Sequence, residues 1–393
     1  MPLRVAIDIR RIGDFGIGTY IRNLLSGLAA LDSETSYLLV ARQDDVVEVP
    51  DLGPNFEIVR FHPPRHALAV RIAFPMFLRR LRADLYHIPL NAVPLGMPRP
   101  YVVTVHDMST LIFHPGPARS RRLRVWRFRR GLLGASRVIA VSTATRRDIE
   151  ELLSIPPARI RVVYNAPDPA FRQPDSPAIA CLASGGAVVY RPEIKRILDR
   201  YQIDYPFVLY AGTIRPQKNI PRMIEAFSVV RAEMDSHPLY RGLRLIIIGD
   251  DISNYPPVRR AVIESRVEHA VRFLGFVPIA TLRVFYQAAS VFLFPSLYEG
   301  FGLPPLEAMA CGTPVVCSQA SSLAEVVGDA AVIVNPENVF DIARGIRQIL
   351  TENVLRQTLR RRGYERARMY SWESAARLVN AAYHSVLRRT AAA

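Results

Sequence analysis

The run Ala289-Ser290-Val291-Phe292-Leu293-Phe294-Pro295 leads into Glu299-Gly300-Phe301-Gly302-Leu303-Pro304-Pro305-Leu306-Glu307, then Ala308-Met309-Ala310. The first part is a short apolar run, the pattern of a buried strand. The last part, from Leu306, reads as the first turn of a helix. Between them, a glycine-bearing turn and a helix start present several backbone N–H groups to one spot, which suits a phosphate or a polyhydroxyl ligand. A carboxylate on each side adds acceptors that orient sugar or ribose hydroxyls. Core packing calls for none of this.

The alternation of strand and helix patterns extends outward from that stretch through the whole chain. Strands are predicted at Arg4–Ile9, Tyr37–Ala41, Phe56–Arg60, Leu85–His87, Tyr101–His106, Arg137–Val141 and Ile160–Val163 in the first half. In the second half they fall at Phe207–Ala211, Arg244–Ile248, Val271–Leu274, Val291–Phe294, Pro314–Cys317 and Ala331–Val334. Such alternation builds parallel sheets from βαβ units, so two Rossmann-like, doubly wound α/β domains follow. Residues 169–195, rich in Pro, Ala, Ser and Gly, read as a linker between domains of 1–168 and 196–372. Ala376, Val379, Ala382, Tyr383 and Val386 have helical spacing, which predicts a terminal helix over about 373–388. Ligands of open α/β sheets sit outside the carboxyl ends of the strands. Two such domains facing each other would enclose an interdomain cleft.

At 393 residues, with 50% hydrophobic and 22% charged, the chain suits a soluble two-domain protein with a substantial core in each domain. No apolar run is long enough to span a bilayer. The first residues enter a strand pattern directly, without a signal-peptide layout, which predicts a cytoplasmic protein. Cys181, Cys311 and Cys317 have neither metal-ligand spacing nor a disulfide framework. An excess of 51 Lys and Arg over 35 Asp and Glu gives +16, which favours polyanionic partners.

Two glutamates separated by seven residues, with Gly-Phe-Gly-Leu between them, resemble the signature of the retaining family 4 glycosyltransferases of GT-B fold. The resemblance covers Gly16 to Trp372. It implies that Glu307 holds the nucleotide ribose and that Glu299 contacts the donor sugar. Backbone groups of Phe301, Gly302 and Leu303 would meet the sugar hydroxyls or the diphosphate. Arg11 to Tyr20, with Gly16 and Gly18, resembles the family's loop over the donor, with a helix from about Tyr20. A dinucleotide fingerprint would need a third glycine where Ile21 stands, which argues against an oxidoreductase. His106, after the strand at Tyr101, takes the family's place for a histidine that touches the donor sugar. In Gly212 to Asn219, Lys218 precedes a helix and would neutralise the diphosphate. Gln217 stands where the family often has arginine, and Arg215 would supply that charge. In GT-B enzymes a terminal helix crosses back onto the first domain.

Other residues read more simply. Ser142 to Thr145 read as a helix cap ahead of an acidic helix start with Asp148, Glu150 and Glu151. No Asp-x-Asp pair closes a strand, and Asp250-Asp251 diverge on an extended chain, so no metal site is expected. Arg65 to Arg82 and Arg119 to Arg130 mix arginine with large apolar residues, the make-up of helices that lie in a membrane interface and attract anionic lipid. Nucleic acid is the competing partner for such a mixture.

Taken together, the expectation is a metal-independent enzyme with no cofactor. It moves a hexose, mannose before glucose, from a nucleotide-diphosphate sugar such as GDP-mannose to a glycan or lipid-linked acceptor with retention. The wording around Gly300 to Glu307 and Gly212 to Asn219 looks most like bacterial surface-polysaccharide transferases. The alternative is a catalytically idle nucleotide-sugar-binding or scaffold subunit at the membrane.

Overall fold

The computed structural model describes residues 3–64, 66–91, 93–113, 117–172, 179–182 and 188–391. The chain divides into two compact units, Met1–Ala166 with Tyr370–Ala393, and Pro167–Met369.

Unit 1 is built on seven parallel strands in the order β3-β2-β1-β4-β5-β6-β7. These are β1 (Arg4–Asp8), β2 (Ser36–Ala41), β3 (Phe56–Arg60), β4 (Leu85–Ile88), β5 (Tyr101–Val105), β6 (Arg137–Ala140) and β7 (Ile160–Val162). Its helices are α1 (Phe15–Leu31), α2 (Ala67–Leu81), α3 (Ser109–Ile112), α4 (Ala118–Gly134) and α5 (Thr143–Leu153). Unit 2 carries α6 (Pro192–Arg200) and a six-stranded parallel sheet in the order β12-β11-β10-β13-β14-β15. Its strands are β10 (Phe207–Ala211), β11 (Arg244–Ile248), β12 (Val271–Gly275), β13 (Val291–Phe294), β14 (Val315–Ser318) and β15 (Ala331–Val334). Helices α7 (Ile220–Met234), α8 (Pro256–Glu264), α9 (Ile279–Ala288), α10 (Leu303–Ala310), α11 (Leu323–Val327), α12 (Val339–Thr351) and α13 (Asn353–Arg368) complete it.

All thirteen predicted strands appear in these two sheets, within a residue or two of their expected ends. Strands covered on both faces need apolar side chains at every position, so they stand out as continuous apolar runs. Tyr101–Val105, Phe207–Ala211 and Val291–Phe294 are buried throughout. In each sheet the strand order reverses once, between β1 and β4 and between β10 and β13. Loops part at such a reversal and leave a crevice for ligand.

The last helix, α14 (Trp372–Ala391), belongs to unit 1 and lies against α1. Ala376, Val379, Ala382 and Tyr383 are fully buried there. The two helices approach closely because Gly27 has no side chain, and a Cβ there would sit 2.8 Å from that of Ala376.

Part of the expected linker lies among the described residues. Residues 173–178 and 183–187 of it lie outside the described residues. Pro169–Phe171 form a 3₁₀ turn that packs on α9 and α10, with Phe171 buried and set edge-on to Tyr286. Ile179–Leu182 (β8) and Val188–Tyr190 (β9) pair antiparallel, and α6 begins at Pro192.

Candidate active site

The crevice of unit 2 is made by the loops that follow β10 and β13. Residues Pro216–Lys218 form a 3₁₀ turn, and Asn219, at φ 59°, redirects the chain into α7. Asn219 is buried and its amide donates to the carbonyls of Pro295 (3.1 Å) and Pro336 (2.6 Å), tying this turn to the ends of β13 and β15. The Leu297 amide donates to the Gln217 carbonyl at 2.7 Å. Those ties set Lys218 opposite Glu299, with Nζ donating to Oε1 at 2.6 Å and lying 5.4 Å from the Phe294 ring centroid. Both side chains are largely sheltered, at 14% and 13% exposure. A pair of this kind is strong where water is scarce, and breaking it leaves a partly buried charge alone.

Glu299 is also held through its backbone. Its carbonyl accepts from the hydroxyls of Ser321 (2.6 Å) and Ser322 (2.9 Å), and Ser322 also donates to the Phe301 carbonyl at 2.8 Å. The turn then swings through Gly302 at φ 109°, where a Cβ would meet Leu323 at 2.6 Å, so only glycine serves. Pro304 and Pro305 occupy the first turn of α10. They carry no N–H, so the helix start presents fewer donors than expected from a strand–turn–helix pattern alone. Gly302 and Leu303 supply the amides that remain at this end of α10.

Glu307 lies in α10, one face inward. Its Oε2 accepts from the Tyr286 hydroxyl at 3.1 Å, and Tyr286 is anchored in turn by Thr313, whose hydroxyl donates to the Tyr286 carbonyl. Burial pushes the Glu307 carboxyl up to about 8, with the Tyr286 hydrogen bond pulling down and nearby Asp168 pushing further up. Burial likewise raises the neighbouring Cys311 thiol and that of Cys317 in β14. Such thiols are inert.

Arg215 sits exposed at the head of the 3₁₀ turn. Asp250 is committed to the turn, accepting from the Ile214 amide at 2.9 Å, and Asp251 caps the 3₁₀ turn Ile252–Asn254 through the Ser253 amide. Among the described residues no group of three or more His, Cys, Asp or Glu is placed to hold a metal ion.

In unit 1, His106 follows β5 and is fixed from two sides. Its amide donates to the Asn91 side chain at 2.8 Å, and Nε2 lies 3.0 Å from the Pro89 carbonyl, both from the loop after β4. A carbonyl only accepts, so the proton is on Nε2 and Nδ1 keeps its lone pair. Burial lowers the His106 pKa, the hydrogen bond to Pro89 opposing it, and the ring stays neutral. Tyr20 stands edge-on to it at 4.8 Å. Behind Tyr20 a buried chain of hydrogen bonds runs to Thr104 (3.1 Å), His87 (2.8 Å) and Tyr383 (2.7 Å) of α14. Asp107 is occupied with the Ser109 amide and hydroxyl and is therefore a local cap.

The glycine-rich segment differs from expectation. α1 starts at Phe15, not near Tyr20, so Gly16 and Gly18 sit in its first turn. The Gly18 amide donates to the Asp14 carbonyl, and a Cβ on Gly18 would lie 2.1 Å from the Ile12 carbonyl oxygen. Gly18 is a packing residue. Gly16 faces open space, with nothing within 4 Å of a Cβ. Ser142 caps α5 as predicted, accepting from the Thr145 amide.

Sequence reasoning thus placed Lys218 and Glu299 in one site and kept Glu307 in the neighbouring helix. It missed Tyr286, Asn219 as a clamp, and the Ser321-Ser322 pair. The polar run after β14 was a signal for the serines, whereas Tyr286 sits within an apolar helix that signals only core.

Residues 16–171 match the family described as Glycosyltransferase Family 4, and residues 193–366 the one described as Glycosyl transferases group 1. The O-antigen chain mannosyltransferase B of Escherichia coli is 34% identical over 324 residues, which cover 80% of this chain and 75% of that protein. The chain belongs to the family 4 glycosyltransferases. It is an enzyme of the hexosyltransferase kind. The serotype-specific mannosyltransferase WbdA of E. coli is 30% identical over 256 residues, 62% of this chain and 28% of that longer protein. Sucrose-phosphate synthase from Thermosynechococcus elongatus shares the fold at a TM-score of 0.75 and 20% identity, over 98% of this chain and all of that one. Anabaena HepE, solved with UDP-glucose, shares it at 0.74 and 16% identity, over 98% and 100%. These neighbours and the two parallel sheets assign the GT-B class.

Proposed function

We propose that this glycosyltransferase moves a hexose, mannose in the first instance, from a nucleotide-diphosphate sugar to a hydroxyl of a glycan or lipid-linked acceptor, with retention of anomeric configuration and without a metal. GDP-mannose is the favoured donor and glucose the next sugar. The mannosyltransferase relatives support mannose, and the O-antigen relative supports a role in surface-polysaccharide assembly. The observation that carries the reading is the Lys218–Glu299 pair, held by Asn219 and the serines at the strand-order reversal of unit 2.

The chemistry follows from the side chains. Lys218 has three N–H groups and spends one on Glu299, leaving two for the oxygens of a diphosphate. The leaving nucleoside diphosphate gains negative charge as the C1–O bond breaks, and a fixed ammonium stabilises that charge. Arg215, exposed at the same turn, adds a second cation. The second oxygen of Glu299 accepts from sugar hydroxyls, and Glu307 takes the ribose hydroxyls once its carboxyl gives up its proton. The electron pair of the broken bond stays on the departing oxygen. The acceptor oxygen bonds C1 on the same face, through an oxocarbenium-like state, and its proton passes to the departing diphosphate. Within unit 1, His106 keeps an Nδ1 lone pair that accepts from a hydroxyl, and Gly16 leaves open space beside its backbone.

The enzyme works in the cytoplasm with peripheral contact to an anionic membrane. No helix among the described residues is long and apolar enough to cross one. Thermal shifts with UDP-, GDP- and ADP-sugars identify the donor base, since a ligand at 100 times its Kd adds about 2.7 kcal/mol. Anomeric configuration of the product by NMR then tests retention. Donor binding without any turnover would support an idle scaffold and reject the enzyme mechanism.

A further inference from the structure

We propose that α2, α4 and the loop between β4 and β5 form one docking surface for an anionic bilayer, with Ile72, Met76, Leu95, Leu123 and Trp126 entering the headgroup region and arginines binding lipid phosphates. This deepens the membrane-associated reading above and rests on it.

Charge comes first. No Asp or Glu occurs in residues 61–83 or 108–147, and α4 alone carries seven arginines. α2 carries Arg71, Arg79 and Arg80, with Arg82 at its C-cap, while Arg65 lies outside the described residues. Segments so rich in arginine and free of carboxylates in sequence attract external anions collectively.

Apolar exposure coincides with that charge. Ile72 is 67% exposed, Met76 48%, Leu95 38%, Leu123 54% and Trp126 49%. Helical spacing puts Ile72, Met76 and Arg80 in one stripe of α2, and Arg119, Arg122, Leu123, Trp126 and Arg130 in one stripe of α4. The opposite sides dock on the unit: Phe74 and Leu78 of α2 and Phe128 and Leu132 of α4 are buried. Arg130 lies over the Trp126 ring at 5.6 Å.

Topology makes the two stripes neighbours. α2 links β3 to β4 and α4 links β5 to β6, both crossing the sheet in the same direction. Right-handed crossovers in one direction lie on one face, and α1, which links β1 to β2 the other way, lies on the other. The loop after β4 bridges them. Arg79 donates to the Gly96 carbonyl at 2.9 Å, and α4 is pressed so closely on this loop that a Cβ at Gly131 would lie 2.6 Å from that of Val93. Leu95 is exposed between those two contacts.

The occupant follows from the residue types. Four of the five exposed apolar residues are unstacking side chains, suited to hydrocarbon, and only Trp126 could stack on a base. A nucleic-acid site would reverse that ratio. Apolar side chains flanked by arginine lie in a lipid interface, and each arginine near an anionic leaflet strengthens partition about fivefold.

The test is co-sedimentation of the full chain with vesicles of phosphatidylcholine, with and without phosphatidylglycerol, read together with tryptophan emission. Wild type partitions to the phosphatidylglycerol vesicles, less so as salt rises, and brominated lipid quenches Trp126, with buried Trp372 as a constant background. The pairs R119E/R122E, L123S/W126S and I72S/M76S each lower partition by about tenfold or more. All three keep turnover on a soluble acceptor. Partition that ignores phosphatidylglycerol, that survives all three pairs, or that comes without quenching overturns the proposal, as does preferential capture of RNA over vesicles. Absence of turnover in wild type would strike the transferase mechanism and leave the vesicle result to stand or fall alone.

Discussion

The two units handle charge in opposite ways. Unit 2 shelters and pairs the ionisable groups at the heart of its candidate site: Lys218 meets Glu299, and Tyr286 meets Glu307. Unit 1 leaves a field of arginines on α2 and α4 at the surface, and keeps its buried polar groups neutral in the chain Tyr20, Thr104, His87 and Tyr383. A few sheltered charges make a site whose energies depend on individual atoms. Many exposed ones make a surface whose attraction is collective, long-ranged and salt-sensitive. The difference teaches that a net charge of +16 says nothing of the catalytic centre.

The largest effect should come from the sheltered pair. Lys218→Ala is expected to lower kcat by about 10²–10³-fold, as for loss of one preorganised charge-stabilising donor, measured as donor turnover with acceptor in excess. Glu299→Gln keeps the shape and should lose less. Wild-type kcat in both variants would erase the distinction between the units.

Next is Glu307. Glu307→Ala should abolish the shift of about 2.7 kcal/mol that a nucleoside diphosphate gives at 100 times its Kd. Because burial raises this carboxyl to about 8, binding of ribose hydroxyls to the carboxylate should release a proton near pH 7. Calorimetry in buffers of different ionisation enthalpy would detect it, and heats independent of buffer would reject that assignment.

The pH dependence of stability sharpens the comparison further. His87 is lowered to about 3, because burial disfavours its charged form, with His106 adding to the effect. Its contribution is complete above its ordinary value of 6.5 and lost as pH falls toward 3. Glu307 is raised, so its contribution is complete below its ordinary value of 4.5 and lost as pH rises toward 8. Each slope is about 1.4 kcal/mol per pH unit at most. Urea unfolding of wild type against His87→Gln and against Glu307→Gln should give difference curves of opposite sign. Parallel curves would mean that these groups do not titrate as their burial demands.

The smallest effects separate two glycines of α1. Gly18→Ala must push against the Ile12 carbonyl and should cost about 1–3 kcal/mol. Gly16→Ala enters open space in a helix and should gain about 0.5–1 kcal/mol. If Gly16→Ala keeps its stability and loses turnover, a ligand approaches the backbone there. Equal losses of stability in both would put Gly16 back among packing residues.

Much of the fold was legible because parallel strands are covered on both faces. Phe207–Ala211 and Val291–Phe294 admit only apolar residues, so they read directly from the chain. The start of α1 was not legible. Asp14 makes no side-chain cap, and two glycines in a first turn look like a loop. The donor count at α10 was overstated, since prolines pre-set a helix start while removing its amides.

By itself, the amino-acid order determined the alternation of strand and helix, the placing of Lys218 and Glu299 in loops after strands and of Glu307 in the helix that follows, and the two arginine-rich helices. Those are local properties, written in the spacing of apolar, glycine and charged residues. The fold alone decided that Lys218 and Glu299, 81 residues apart, share a hydrogen bond. It also decided that Tyr286 reaches Glu307 and that His87 meets Tyr383 across 296 residues. Partners so distant are chosen by sheet order and by burial, and a buried group's chemistry is set by what surrounds it rather than by what precedes it.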